Sequence, residues 1–290
     1  MLLVVVLGVL FWAYTTYNRI ETVDLSDVLD PVTGDEINYL LVGSDSRDEL
    51  DPEGDSGVTG RRSDTLILLR TGPEGAAMMS IPRDLWVTVA DTGLEGRING
   101  AYNSGPANLV RTVQQNLDVQ VNHYVEIGFA SFVGLVDAMG GVTLEVPHPA
   151  IDRASGLHIP EAGAVTLDGT QALAYARSRH YTEIIDGREV LEPTADLGRQ
   201  QRQQTFLRTV LADVGSTRNP VTLVRVADSM SSQLVVDSGL GFFDALSLVR
   251  KLGSSDPETI VLPVEGVRRG QAAVLVTVEP AAQEVLGRFR

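Results

Sequence analysis

The sequence contains no cysteine. That one absence excludes disulfides, thiolate zinc sites and cysteine nucleophiles together. Lysine is almost missing as well: Lys251 is the only one, so nearly every fixed cation is an arginine. Positive charge is scarce in total, with 23 Lys+Arg against 38 Asp+Glu and a formal net charge of -15. A surface of that sign repels phosphate backbones, which argues against nucleic acid as a partner. The four histidines, His123, His148, His158 and His180, have no metal-ligand spacing. A P-loop, a glycine-rich dinucleotide fingerprint, an HExxH pair and a GxSxG elbow are all lacking.

What is present divides the 290 residues into three stretches. The first, "MLLVVVLGVLFWAYTTY", is almost wholly apolar, with Phe11, Trp12, Tyr14 and Tyr17 crowded at its downstream end as at a membrane interface. It falls slightly short of the roughly 20 residues that span a bilayer, and it lacks the basic start and cleavage site of a removable signal. Residues 1–18 are therefore expected to be a transmembrane anchor; Arg19 follows the apolar run rather than preceding it, so a short basic start is expected to be missing. Residues 19–36 are acidic, carry Pro31 and Gly34, and read as a linker. Residues 37–290 read as one folded domain.

Within that domain, "INYLLVG" reads as a buried strand ending at a glycine, and "TLILLR" and "AAMMSI", joined by "TGPEG", read as a hairpin. After Pro82 the period becomes helical. Leu109, Val113 and Leu117 share one face, and Phe132, Val133 and Val136 lie on a second stripe stopped by Gly140 and Gly141. "VTLEVP" is a strand, "LDGTQALAYAR" opens with the helix-start residues Asp168 or Thr170, and Arg199 to Val214 is a long helix. Two further strands and a short helix from Pro280 follow. Alternating strands and helices without a dividing linker indicate an α/β domain.

Charge collects at the ends of these elements. Asp45 and Arg47 follow the first strand in "GSDSR"; Arg61, Arg62 and Asp64 precede the second in "GRRSD". Arg83 and Asp84 follow the third in "IPRD", Arg177 and Arg179 end a helix in "ARSRH", and Asp196, Arg199 and Gln203 begin another in "DLGRQQRQQ". Isolated exposed ion pairs are worth little, but five such clusters at the edges of apolar elements point to a site. Arginine grips phosphate oxygens with a planar fork. Carboxylates beside it suit Mg2+, which takes one or two protein carboxylates plus substrate phosphates. Arg and Asp without a base-paired nucleophile therefore indicate phosphoryl transfer, in which positioning and charge neutralisation do most of the work.

At these residues the sequence resembles the LytR–CpsA–Psr family of bacterial cell-wall glycopolymer ligases. The matching stretches run in order from about Asn38 to Val214: "LLVGSDSR", "GRRSDTLILL", "MMSIPRDLWV", "RINGAYNSGP", "HYVEIGFASFVGLVDAMGGV", "LDGTQALAYARSRH" and "DLGRQQRQQ". The resemblance implies a three-layer α/β/α sandwich around a mixed central sheet, carried outside the cell membrane by a single-pass N-terminal anchor helix. It implies a phosphotransferase that moves a glycopolymer from a polyprenyl-pyrophosphate carrier to a muramic acid hydroxyl of peptidoglycan, with Mg2+ or Mn2+ as cofactor. By position in the motifs, Asp45 and Asp64 match the metal-associated aspartates. Arg62, Arg83, Arg177, Arg179 and Arg199 match the pyrophosphate-binding arginines, with Asp196 and Gln203 as polar partners. Arg83, Arg177, Arg179 and Asp196 are the expected catalytic set. Two stretches depart from the family pattern: a long acidic loop between Asp45 and Asp64, and the insertion "YTEIIDGREVLEP" after His180.

Two other functions fit the same residues: hydrolysis of the pyrophosphate by water, and non-catalytic binding of an anionic lipid or glycan. Two geometric expectations accompany the reading. Leu109, Val113, Leu117, Phe132, Val133 and Val136 are expected either to line a slot for the polyprenyl chain or simply to fill a core. Because alternate residues of an extended chain point to one side, whereas residues two apart on a helix diverge, the helix is expected to end near Arg177 with an extended segment through His180.

Overall fold

The computed structural model describes residues 14–45, 62–193, 195–217, 219, 222, 225–226, 228–229, 234–254 and 257–290. The chain forms two compact units, one made of Glu21–Gly128, Leu234–Ala245 and Pro257–Arg290, the other of Met1–Ile20, Phe129–Gln233 and Leu246–Asp256.

The first unit is built on a seven-stranded mixed sheet. Its strands run, edge to edge, Glu21–Val23, Leu234–Asp237, His123–Gly128, Ile37–Asp45, Arg62–Gly72, Gly75–Ile81 and Glu258–Val261. The expected hairpin is there, Arg62–Gly72 pairing antiparallel with Gly75–Ile81, while Ile37–Asp45 runs parallel to His123–Gly128. The central strands are sealed on both faces: Leu40, Leu66, Leu68, Leu69, Met78 and Met79 are each at most 1% exposed. That burial explains why they read as unbroken apolar runs rather than as alternating ones.

Over one face lies the helix Pro106–Leu117, with Pro106 in its first turn. Its residues Leu109, Val113 and Leu117 recur every fourth position and are 0–1% exposed, in one core cluster with Leu40, Val42, Leu66 and Leu68. This half of the expected lipid slot is core. Helical periodicity alone cannot distinguish the two, because both need an apolar stripe. Burial of each such side chain contributes about 1.5–3 kcal/mol.

The acidic lead-in belongs to the fold rather than to a linker. Glu21–Val23 pairs parallel with Leu234–Asp237, and Leu25 is buried in the same core. Asp30 accepts hydrogen bonds from the Val121 amide (2.9 Å) and from Gln114 Nε2 (2.8 Å). Among the described residues no helix is long and apolar enough to cross a membrane; Tyr14–Tyr17 are helical, and residues 1–13 of the expected anchor lie outside the described residues.

The second unit carries the helices Phe129–Met139, Gly169–Arg177 and Ala195–Ser216, the strand pair Val142–Val146 with Gly163–Leu167, and a small four-stranded sheet. That sheet runs Leu157–Ile159, Ala150–Asp152, Thr182–Ile185, Arg188–Leu191. Gly169 lets two of the helices touch: a Cβ there would lie 2.4 Å from the Val133 carbonyl oxygen. The same closeness allows the Gly169 amide to donate to Asp137 Oδ1 at 2.8 Å.

Candidate functional site

In the first unit, the charged end of the sheet is set by strand register. Ile37–Asp45 and Arg62–Gly72 pair residue for residue until Gly43↔Thr65, after which Ser44 faces Ser63 and Asp45 faces Arg62. Asp64 is the extra residue of this bulge. Bulges re-aim side chains at the ends of ladders and recur beside functional sites. Asp45 and Asp64, the residues expected to hold a metal, thus sit at the same end of adjacent strands. The side chains of Asp45, Arg62 and Asp64, and all of Arg47 and Arg61, lie outside the described residues. Among the described residues no group of three or more His, Asp or Glu gathers as a metal site.

Arg83 follows the strand Gly75–Ile81, as expected. Its Nε lies 3.5 Å from Asp84 Oδ2, and Asp84 Oδ1 receives Arg97 Nε at 3.1 Å. The Arg83 carbonyl accepts the Asn99 amide at 3.2 Å. Arg97 is an addition to the expected set; its signal in the sequence is that it is the one cation in "RINGAYNSGP".

In the second unit, the helix Gly169–Arg177 starts at Asp168, whose side chain accepts the Gln171 amide at 2.8 Å. It ends at Arg177, because Ser178 adopts φ -59° and ψ 127°. Ser178 is fully buried, while Arg177 and Arg179 on either side of it are exposed. The expected extended segment through His180 shrinks to Ser178: Arg179 and His180, both exposed, form a bend, because their successive amides turn to the same carboxylate oxygen of Asp152.

Three residues hold that segment. Asp152, 2% exposed at the end of the strand Ala150–Asp152, accepts at Oδ2 from Ser178 Oγ (2.7 Å) and from the amides of Arg179 (3.0 Å) and His180 (3.0 Å). Its Oδ1 accepts from the amides of Ala154 and Ser155. Burial by itself raises the carboxyl, but the hydrogen bonds from Ser178, His180, Ala154 and Ser155 outweigh it and hold the pKa at about 2. Arg202, on the long helix, donates through Nη2 to the Ser178 carbonyl at 2.7 Å and lies over the Tyr181 ring, 4.5 Å from its centroid. Gln203 Nε2 donates to the Ala176 carbonyl at 3.1 Å. Gln203, expected on the pyrophosphate, is therefore engaged with backbone.

Arg199 is buried in the first turns of the helix Ala195–Ser216, where Asp196 also sits, with its side chain outside the described residues. Arg199, Arg202, Gln203 and Phe206 share one face of this helix by their spacing of three and four. That spacing is the signal by which the sequence marks Arg202. Phe206 meets Phe132 at 4.9 Å between ring centroids, Val136 is fully buried, and Phe132 and Val133 are half-buried. The insertion after His180 is a hairpin, Thr182–Ile185 with Arg188–Leu191. Asp186 and Gly187 turn it with φ of 51° and 76°, the conformation that favours Asp-Gly in two-residue hairpins. Its far end is fastened where Glu192 pairs with Arg202 and the Glu192 amide reaches the Tyr181 carbonyl at 2.9 Å.

Arg177, Arg179, Asp196, Arg199 and Gln203 thus belong to one unit, and Asp45, Arg62, Asp64 and Arg83 to the other.

Comparison with known proteins places this geometry. A protein described as "Probable cell wall biosynthesis protein LcpB" from Corynebacterium glutamicum is 34% identical over 75% of this chain and 51% of its own length. The LcpA protein of the same organism is 28% identical over 86% of this chain and 55% of its own length. The chain thus spans about half the length of these two relatives. TagU from Halalkalibacterium halodurans, named a polyisoprenyl-teichoic acid–peptidoglycan teichoic acid transferase, is 30% identical over 94% of this chain and 84% of its own. Among solved structures, a LytR-Csp2A-Psr enzyme from Actinomyces oris superposes with a TM-score of 0.75 at 28% identity, covering 93% of this chain and 96% of that one. TagT bound to LI-WTA superposes with a TM-score of 0.68 at 26% identity, covering 90% and 91%. The LytR_cpsA_psr family model matches residues 11–289, and the chain belongs to that family.

Proposed function

We propose that this protein is a phosphotransferase that moves a glycopolymer from a polyprenyl-pyrophosphate carrier to a muramic acid hydroxyl of peptidoglycan. The observation that carries the reading is the helix end at Arg177, where the buried Ser178 separates two exposed arginines, Arg177 and Arg179. Two exposed arginines flanking a fixed, buried residue suit a pyrophosphate, whose oxygens accept the paired N–H groups of each fork. Family membership supports the substrate class, since relatives carry names of teichoic acid transferases to peptidoglycan.

In the reaction, the acceptor oxygen bonds to the glycan-bearing phosphorus and its proton is released. The bridging P–O bond breaks, and polyprenyl monophosphate departs with the electron pair. Arg177 and Arg179 hold the donor and stabilise the negative charge that develops on the departing phosphate. By the family resemblance, Arg62, Arg83 and Arg199 are each assigned to pyrophosphate binding, with Asp196 as a polar partner. Asp45 and Asp64 fit a divalent cation: two carboxylate residues at the end of one strand pair, one of them bulged from the ladder, are the share of ligands that a protein gives Mg2+ or Mn2+ when substrate oxygens supply the rest. When bound, the ion supplies charge neutralisation at the pyrophosphate.

Residues 1–18 are assigned as a single-pass anchor, which places the reaction at the extracytoplasmic face, where peptidoglycan lies. Phe132 and Val133, half-buried on their helix, remain the candidates for contact with the polyprenyl chain. The test is mass spectrometry of products after the full chain, in detergent, is incubated with lipid-linked glycan, Mg2+ and peptidoglycan fragments. A glycan-phosphate joined to a muropeptide is the expected product. Free glycan phosphate would instead make the protein a pyrophosphate hydrolase, and unchanged donor would leave only binding.

A further inference from the structure

We propose that Asp152 is the positioning residue of the arginine pair: its buried carboxylate imposes the bend after the helix that fixes where the chain carries Arg179 relative to Arg177. The inference rests on the proposed role of that pair at the pyrophosphate. A helix turns about 100° per residue, so continuing Gly169–Arg177 by two residues would carry Arg179 roughly 200° around the axis from Arg177. The chain must therefore leave the helix between them. Leaving it strands amides and carbonyls that the helix would have paired.

Side chains collect those groups. Asp152 Oδ2 takes the amides of Arg179 and His180 and the hydroxyl of Ser178. Arg202 takes the Ser178 carbonyl, and Gln203 takes that of Ala176. Asp152 provides three of these five contacts, and it is ionised, so each is charge-assisted. Its other oxygen, fixed by the Ala154 and Ser155 amides, ties the turn to the strand Ala150–Asp152. Asp152 and Ser178 are 2% and 0% exposed, which keeps both from touching a donor themselves. They act through the two arginines. Nothing in the stretch "AIDRASG" marks Asp152 by motif, and it lies 25 residues before Arg177 in the chain.

The test is calorimetric titration of the full chain with inorganic pyrophosphate, with thermal unfolding recorded for every variant. Asp152→Asn keeps the volume but loses the charge and should weaken binding on the order of tenfold, because a small misplacement of a binding group is costly. Ser178→Ala, which removes one contact and leaves the carboxylate in place, should weaken it in the same direction by less. In an Arg177→Ala/Arg179→Ala background, adding Asp152→Asn should change nothing further. An equal additional loss there would mark a general fold defect and overturn the proposal. So would wild-type affinity in Asp152→Asn or, should that variant fail to fold, in Ser178→Ala. If the Arg177→Ala/Arg179→Ala variant itself binds pyrophosphate like the wild type, the role of the arginines fails instead, which separates the two ideas.

Discussion

The strand end at Asp45 and the helix end at Arg177 both bring charge to the edge of an apolar element, but the backbone is held there by different means. At Asp45 the ladder does the work: pairing with Arg62–Gly72 continues to Asp45↔Arg62, and one bulge displaces Asp64. At Arg177 the regular element stops, and the next three residues depend on side chains from elsewhere, Asp152 and Arg202. A sheet register is fixed by the whole hydrophobic pattern of its strands. A turn outside the helix is fixed only by the few groups that accept its amides. The aspartate end should therefore tolerate change around it, and the arginine end should not.

The largest break in that comparison comes from the arginines. Lysine keeps the charge and loses the fork, so Arg177→Lys or Arg179→Lys should slow glycan transfer on the order of 100-fold. The double variant should be less than additive, because both side chains act on one group. Steady-state transfer rates check both. At the sheet end, Asp64→Asn or Asp45→Asn should lower turnover by about 10- to 100-fold and raise the Mg2+ concentration needed, with the unfolding midpoint close to wild type. Full activity of Asp64→Asn in chelator-treated buffer would remove the metal assignment.

Acid separates the two ends on stability. Asp152 is held at a pKa of about 2, below the value of about 3.9 for an unfolded aspartate. A carboxyl depressed by folding contributes stability above its unfolded pKa and loses it as pH falls through the folded one. Roughly 2 kcal/mol should thus disappear between about pH 4 and pH 2 in the wild type. Denaturant unfolding of Asp152→Asn across that range should lack this component; parallel curves for the two proteins would count against it. The smallest effect is expected at the hairpin tip. Gly187 has φ 76° and open space where a Cβ would go, so Gly187→Ala should cost about 1 kcal/mol of backbone strain, read as a small drop in unfolding midpoint.

Much of this is legible in the amino-acid order alone. Apolar runs mark the central strands, "LDGT" narrows one helix start to Asp168 or Thr170, and the spacing of Arg177 and Arg179 marks the helix end. Contacts between segments far apart in the chain are not legible. Asp152 looks like an ordinary loop aspartate until Ser178 is folded onto it. Gln203 lies in a motif, yet its carboxamide is used on the Ala176 carbonyl. Glu21–Val23 reads as part of an acidic linker because a three-residue edge strand carries too short a pattern to register. The Asp186–Gly187 hairpin differs from these, since its turn signal is present in "IIDGRE" and is obscured only by the exposed strand Arg188–Leu191 that follows it.

Everything proposed for the donor turns on whether Arg177 and Arg179 hold its pyrophosphate. Phosphorus-31 NMR of inorganic pyrophosphate added to the full chain tests it most directly, comparing the wild type with Arg177→Lys/Arg179→Lys. The wild type should give a shifted, broadened resonance that moves back towards the free position with the double variant. An identical resonance in both samples would contradict it.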